Sequence, residues 1–334
     1  MFKRLGLRAC VAQLLAMQAC TAAGYRVVEP YSGLIVALGS QQRGGEPMPA
    51  GGKPTVRSRR LGAALKRYRL AAKLDQQQAA AVLEASAAKI SRVESGHVTA
   101  RVVDIRLLLD AYGVKDGEVR SKLEDLARNA NRRGWWLEHA AHLREDYLEH
   151  IAIEDDATFI REWQSAAFPG LLQTAAYAEA TIAEGPNCVD PERAAHLVKA
   201  RETRQAKIEP GGAMYTAIVW EPVIIHPLVS VAIHREQLSA VLEVSKRQNV
   251  TVQVLPFAAG LLAAISAFSS FSFGSDPAVE AVTMENLRGT SVLEDPDDLG
   301  AYANAFDQLR SAALAPDASA RLIRGALRSS EEEK

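Results

Sequence analysis

Residues 74–96 read LDQQQAAAVLEASAAKISRVESG, and their spacing predicts two short helices joined by a tight turn. Asp75 stands where the first of these helices should be capped, and Gln78 lies three residues further on. Together they form a capping box, in which each side chain hydrogen-bonds to the backbone of the other residue. We therefore expect the first helix over Gln76–Leu83.

The second helix is predicted from a similar pair of end signals. Glu84 and Ala85 make the turn, and Ser86 is an N-cap because its hydroxyl can accept a hydrogen bond from the first turn of a helix. We expect the helix over Ala87–Glu94 and its end at Gly96, since glycine tolerates the left-handed conformation that follows many helices. Two helices of this length across a short turn form a helix-turn-helix arrangement.

The exposed face of the second helix carries small and cationic side chains that suit the major groove of DNA. We expect Lys89 and Arg92 to donate to guanine O6 and N7, and the two alanines before them to contact thymine methyl groups. Helix N-termini attract phosphate, so the glutamines Gln76 and Gln77 suit a contact with the DNA backbone. The predicted DNA-binding residues are Gln76, Gln77, Ser86, Ala87, Ala88, Lys89, Ser91 and Arg92.

The charge of the chain is divided unevenly along its length. The formal net charge is −1, but residues 53–133 carry 18 Lys and Arg against 9 Asp and Glu. Residues 1–52 carry 5 against 2, and residues 134–334 carry 16 against 29. A basic unit joined to an acidic one favours a polyanion as the partner of the basic unit. The alternative is a chance drift of surface charge that serves only solubility.

Three further helices complete an all-α, five-helix unit over residues 53–133. Before the pair described above, apolar residues at helical spacing alternate with arginines and lysines, which indicates an amphipathic helix that starts at Val56. After the pair, the same periodicity predicts helices over Val102–Tyr112 and Gly117–Asn131.

The five-helix unit resembles the XRE, or lambda-repressor-like, helix-turn-helix family. The resemblance rests on Leu74-Asp75-Gln76 and on the run from Ser86 to Gly96, which match the family at fixed spacing. It implies sequence-specific DNA binding by the second helix of the pair. It also implies a structural ion pair between Arg69 and Glu94.

Two positions depart from the family pattern. Ala79 stands where the family usually has Leu or Val, and Glu84 replaces the glycine of the turn. A residue other than glycine in the left-handed conformation costs about 1 kcal/mol, so the turn can still form.

Residues 134–328 are expected to form an α+β domain with a mixed sheet, because the apolar period changes from helical spacing to alternation and back. The predicted helices are Leu137–Ile153, Leu171–Ala183, Pro191–Lys207, Ile233–Gln248, Gly300–Ala313 and Asp317–Leu327. The predicted strands are Thr158–Ser165, Met214–Glu221, Val250–Leu255, Phe268–Phe273, Val279–Glu285 and Ser291–Glu294. Residues 329–334 are expected to be a disordered tail.

The acidic domain is similar to a poorly understood domain that follows XRE-type units in actinobacterial, antitoxin-like transcriptional regulators. The similar segments are Gly134-Trp135-Trp136, residues 169–178, residues 201–205, residues 249–257 and residues 293–296. The resemblance implies an autoregulatory protein that is commonly paired with a small protein encoded nearby. One helix-turn-helix covers only a half-site, so we expect a homodimer on a palindromic operator of double-stranded DNA.

Residues 1–52 are expected to be a disordered or wrongly assigned N-terminal extension. A basic start followed by an Ala/Leu-rich run is typical of a secretory leader, even a lipoprotein-like one ending at Cys20. The basic helical segment that follows argues against secretion, and we favour translation from Met48. No run of about 18 apolar residues occurs, so we expect a cytoplasmic, nucleoid-associated protein without a membrane span.

The sequence contains no motif that supports catalysis. Gly52-Lys53 is followed by proline, which excludes a phosphate-binding loop there, and neither G-x-S-x-G nor H-E-x-x-H occurs. Four potential metal ligands fall near one face of a predicted helix: His139, His142, Asp146 and His150. A solvated charged face is the simpler interpretation, so we expect no catalytic residue, no cofactor and no metal. The alternative is an enzyme or metal-binding domain that the helix-turn-helix brings to DNA.

Overall fold

A computed structural model describes residues 54–130, 134–185 and 189–332 of the chain. The predicted extension over residues 1–52 lies outside this part of the chain. No helix among the described residues is both long and apolar enough to cross a membrane.

Five helices surround the first hydrophobic core. They are α1 (Val56–Ala71), α2 (Gln76–Val82), α3 (Ala87–Glu94), α4 (Val102–Ala111) and α5 (Gly117–Asn129). Leu65 of α1 and Ile105 and Leu109 of α4 are fully buried, and they belong to one cluster with Ile90 and Val93 of α3. The predicted all-α unit is confirmed, and its helix ends differ from the predicted ones by one or two residues.

Local hydrogen bonds explain why α2 and α3 begin where they do. Asp75 Oδ1 accepts from the Gln78 backbone at 2.7 Å, and Gln78 Oε1 accepts from the Asp75 backbone at 2.9 Å. Ser86 Oγ accepts from the Lys89 backbone at 3.2 Å. The turn places Glu84 at a φ of 46°, and Gly96 follows α3 at a φ of 77°. The capping box, the second N-cap and the left-handed turn residues are all present as the sequence predicts.

The second part of the chain contains helices and a mixed sheet, which confirms the predicted α+β class. Its helices are α6 (Glu145–Asp156), α7 (Ala175–Ala183), α8 (Pro191–Arg204), α9 (Glu221–Ile225), α10 (Val231–Val244), α11 (Pro296–Ala312) and α12 (Pro316–Glu332). Its strands are β1 (Phe159–Gln164), β2 (Met214–Trp220), β3 (Val250–Leu255), β4 (Phe268–Ser272), β5 (Ala281–Asn286) and β6 (Gly289–Leu293). Short 3₁₀ helices cover Trp135–His139, Gly170–Leu172, Gln205–Ile208 and Phe257–Ala264.

Three predictions for this region need correction. The continuous helix over Leu137–Ile153 is wrong, because a 3₁₀ turn ends at His139 and a regular helix begins only at Glu145. This interruption lets Trp136 and Leu143 enter one buried cluster. The helix α9 and the 3₁₀ helix after β3 were not predicted. Finally, α12 continues to Glu332, so residues 329–332 are helical and not part of a disordered tail.

The sheet has the strand order β3-β2-β1-β4-β5-β6. β1, β2 and β3 are parallel neighbours, with Phe159 opposite Met214 and Tyr215 opposite Val250. β4, β5 and β6 continue the sheet on the other side of β1 in antiparallel pairs. Helices connect the parallel strands, as parallel pairing requires, while the antiparallel strands need shorter connections.

The two faces of the sheet bury different cores. Tyr215, Val252 and Phe271 face a cluster that includes residues of α7, α10 and α12. Trp163 and Phe268 face a second cluster with residues of α11. The outer edge of β3 is closed by the chain itself, because Val254 donates to Ser319 Oγ at 2.9 Å and accepts from the Leu314 backbone at 2.9 Å.

Candidate nucleic-acid interface

A buried ion pair fixes α3 against α1. Arg69 Nε donates to Glu94 Oε1 at 2.6 Å, and Arg69 Nη2 donates to Glu94 Oε2 at 3.0 Å. Both residues are less than a tenth exposed, and the same guanidinium donates to the Leu74 carbonyl at 2.7 Å. This is the ion pair that the family resemblance implies. A bidentate pair defines both distance and orientation, so it holds the end of α3 at a fixed angle to α1.

The contact between α1 and α3 is also unusually close. A Cβ atom added at Gly62 would lie 2.4 Å from the carbonyl oxygen of Glu94, which is shorter than any normal contact. The absence of a side chain at this position of α1 therefore lets the last turn of α3 lie directly on it.

The outer face of α3 presents the predicted DNA-contacting side chains. Ala88, Ser91 and Arg92 are exposed, and Ala87 and Lys89 are half-buried. Lys89 Nζ lies 3.7 Å from Asp104 Oδ2, and 34% of its side chain is exposed. Burial opposes ionisation of Asp104, but the hydrogen bond from Arg101 and the charge of Lys89 outweigh it and lower the pKa of this carboxyl. The carboxylate therefore holds Lys89 at the edge of the exposed face.

The two glutamines at the start of α2 differ in their surroundings. Gln77 is exposed, as a phosphate contact requires. Gln76 is half-buried, and its side-chain amide donates to Glu94 Oε2 at 3.0 Å. The Gln76 amide thus completes the Arg69–Glu94 network, and its side chain is not presented to a phosphate in this arrangement.

Several of the cations that make residues 53–133 basic lie against the acidic domain. Arg57 forms an ion pair with Asp156, and Arg59 forms ion pairs with Glu149 and Glu294. Burial opposes the charge of Arg59, yet the hydrogen bonds and charges of these two glutamates outweigh it and raise its pKa. The excess positive charge is therefore not all available to DNA.

A cation–π contact reinforces the same junction. Arg60 Nη2 lies 3.0 Å from Glu280 Oε2, and its guanidinium carbon lies 3.4 Å from the centre of the Phe273 ring. Lys122 of α5 lies 3.3 Å from the other oxygen of Glu280. A cleft of about 720 Å³ opens beside these residues, between Tyr68 on one side and Leu299 on the other.

The predicted metal-ligand face does not exist as a unit. Asp146 bonds to Arg144, and His150 is buried with Nδ1 2.9 Å from Thr283 Oγ1. His139 and His142 lie before α6, where they meet His196 of α8. The break in the predicted helix is the reason, because helical spacing no longer relates these four side chains.

Sequence reasoning also missed a buried polar group in the sheet. Glu162 of β1 is 5% exposed, and its carboxylate accepts from Tyr215 Oη at 2.7 Å and from Gln164 Nε2 at 3.0 Å. Burial raises the pKa of Glu162 to about 7, and these two hydrogen bonds only partly oppose the rise. Glutamate at an inward position of a strand was the available signal, but which face of β1 is buried depends on packing.

Two family models match the chain. A model described as a helix-turn-helix domain matches residues 60–123, which contain the α2–α3 pair. A model described as a domain of unknown function (DUF5753) matches residues 147–325, which is more than half of the chain. The chain belongs to the DUF5753 family. No curated protein and no solved structure matches it.

This DUF5753 protein therefore combines a DNA-binding helix-turn-helix domain with a C-terminal domain of unknown function. The match to the N-terminal domain indicates DNA binding and a part in transcription regulation. The face that α3 presents to solvent agrees with that role, since it lies on the side of the helix opposite the Arg69–Glu94 pair.

Proposed function

We propose that this DUF5753 protein is an XRE-type, sequence-specific transcription regulator that inserts α3 into the major groove. The observation that carries the proposal is the exposed face of Ala88, Ser91 and Arg92 on a helix whose other side is fixed by a buried ion pair. A rigidly held helix presents its side chains at defined positions along base edges, which is the requirement for direct readout. Its place of action is the nucleoid.

The test is a mobility shift with the protein's own upstream DNA. We expect Arg92→Ala to weaken specific binding by roughly tenfold to a hundredfold, because a bidentate contact to guanine contributes about 1–3 kcal/mol. Lys89→Ala should add to this loss. The matched control is Arg321→Ala, which removes an exposed arginine of α12 and should leave the affinity unchanged. Undiminished specific binding by the Lys89→Ala/Arg92→Ala double variant would exclude α3 as the reading helix.

We further propose that two copies bind a palindromic operator. One α3 helix covers only a half-site, and two half-sites on one face of B-DNA are about 10–10.5 base pairs apart. Inserting five base pairs between the half-sites moves them to opposite faces of the duplex and should abolish binding. Equal affinity for a single half-site and for the palindrome would show that the protein reads DNA as a monomer.

The proposed role of the C-terminal domain is to sense a ligand or a partner protein in an autoregulatory, antitoxin-like circuit, without catalysing a reaction. Support comes from the junction, where Arg59 and Arg60 join the DNA-binding domain to the acidic domain next to a cleft. A molecule bound at this junction would change the position of α1, which the Arg69–Glu94 pair connects to α3. Co-expression with the product of the neighbouring gene tests the partner: co-purification and altered operator affinity are expected, and the absence of both would contradict this role.

A further inference from the structure

Three imidazoles and a carboxylate meet where the segment before α6 contacts α8. His139 Nδ1 lies 2.9 Å from His196 Nδ1. The rings of His142 and His196 are stacked, with centroids 3.8 Å apart and planes 7° from parallel. Glu192, one turn before His196 on α8, places Oε1 3.9 Å from His142 Nε2. The cluster is outside both the DNA-binding face and the junction cleft.

The spacing within this cluster suits a metal ion. His142, Glu192 and His196 each offer one ligand atom, and these three atoms all lie within 4.8 Å of one another. Ligands about 2.0–2.1 Å from a tetrahedral zinc ion are roughly 3.4 Å apart, so the three atoms have to approach by only about 1 Å. Glu192 can move because 76% of its side chain is exposed, and His142 can rotate because 28% of its side chain is exposed.

His139 supplies the outer support that metal-binding histidines usually have. It is 5% exposed, and its Nδ1 occupies the Nδ1 side of His196. Consequently the Nε2 atom of His196 is the one left for an ion, and the neighbouring ring fixes its direction. The Nε2 atom of His139 is buried 3.3 Å from Glu138 Oε1 without an aligned hydrogen bond, so this ring is held mainly by its contact with His196.

We propose that His142, Glu192 and His196 bind a divalent transition-metal ion of the zinc class. Imidazole nitrogen with one carboxylate oxygen is a donor set that selects such ions over magnesium or calcium. Three protein ligands leave a fourth position for water. The ion would connect the segment that directly follows the DNA-binding domain to α8, and so fix that segment on the C-terminal domain. The site does not depend on the proposed DNA-binding role.

The experiment is a metal titration of the full-length protein after removal of bound metal with a chelator. Equilibrium dialysis with zinc should give one ion per chain, and cobalt should give the intense visible absorption of a four-coordinate site. His142→Ala and His196→Ala should each abolish stoichiometric binding, and Glu192→Gln should weaken it at least tenfold. The matched control, His226→Ala, removes an exposed histidine at the end of α9 and should change neither readout.

Two of the variants separate loss of the ion from loss of the fold and from binding by thiols. Glu192 is exposed, so Glu192→Gln keeps the test decisive even where a histidine variant fails to fold, and circular dichroism checks the fold of each protein. A variant with Cys10, Cys20 and Cys188 changed to serine should bind the ion normally. Loss of binding in that cysteine variant, full binding by the Glu192→Gln and His142→Ala variants, or no stoichiometric ion in the unmodified protein would each overturn the proposal.

Discussion

At the scale of single residues, Glu162 is the side chain whose position costs the most. Its carboxyl is buried in the sheet, and its pKa is raised from 4.5 to about 7. A raised pKa means that the folded protein holds its proton to higher pH than the unfolded chain does. The stabilising contribution of this group is therefore complete below about pH 4.5 and is lost as the pH rises through 7.

Glu162→Gln should remove this pH dependence. A glutamine can accept from Gln164 and donate to the Tyr215 hydroxyl, so both hydrogen bonds are kept while the charge is removed. We expect the variant to match the unmodified protein at pH 5 and to exceed its unfolding free energy by about 3 kcal/mol at pH 8. Urea denaturation of both proteins from pH 5 to pH 8 measures the difference. Parallel pH profiles would show that Glu162 does not titrate in this range.

At the scale of elements, the close approach of α1 and α3 at Gly62 gives a direct test of how the reading helix is positioned. Gly62→Ala places a methyl group 2.4 Å from the Glu94 carbonyl, so one of the two helices has to move. We expect a loss of about 1–3 kcal/mol in stability, typical of an overfilled contact, together with weaker operator binding. Thermal unfolding and a mobility shift measure the two effects.

The control for this variant is Gly117→Ala at the start of α5. A Cβ atom there meets nothing within 4 Å, and alanine has the higher helix propensity. This change should be neutral or slightly stabilising and should leave operator affinity unchanged. Equal behaviour of the two alanine variants would mean that the α1–α3 contact can relax without moving the reading face.

Elements that carry their own end signals were predictable from the sequence, and elements shaped by distant contacts were not. The start of α2 depends on Asp75 and Gln78, which are three residues apart, so the local sequence contains all of the information. The break before α6 depends on packing of Trp136 and Leu143 with Ala200 of α8, about 60 residues further along the chain. Periodicity within one segment cannot reveal such a contact.

The same distinction applies to the candidate sites. The exposed face of α3 and the Arg69–Glu94 pair could be anticipated, because the family pattern fixes both. The meeting of His142 with His196 could not, since it requires the interrupted helix and the placement of α8. The occupied amide of Gln76 was missed for a related reason: spacing locates a side chain on a helix but does not show which of two partners it bonds.

At the scale of the whole molecule, the charge difference between the two domains is partly used to join them. Arg59 and Arg60 of α1 reach carboxylates that follow them by as many as 235 residues. Such pairs are partly exposed and individually weak, so their combined effect on how the domains are held together matters more than any one of them.

Glu280→Ala tests this junction because it removes the carboxylate shared by Arg60 and Lys122. We expect a modest loss of about 1 kcal/mol in stability and clearly faster amide hydrogen exchange in α1 and α5. The control is Glu243→Ala, which breaks an exposed pair with Lys246 in α10 and should leave exchange in α1 unchanged. Identical exchange in both variants would show that the Arg60–Glu280 contact does not hold the domains together.

The closed outer edge of β3 has a consequence for the protein at high concentration. Val254 uses its backbone N–H and carbonyl on residues 319 and 314 of the same chain. A strand whose bonding capacity is already taken offers no template for a strand from another molecule, which is how many ordered aggregates begin to grow. The last connection of the chain thus shields this rim of the sheet with one buried hydroxyl and one amide, and it does so without any help from surface charge.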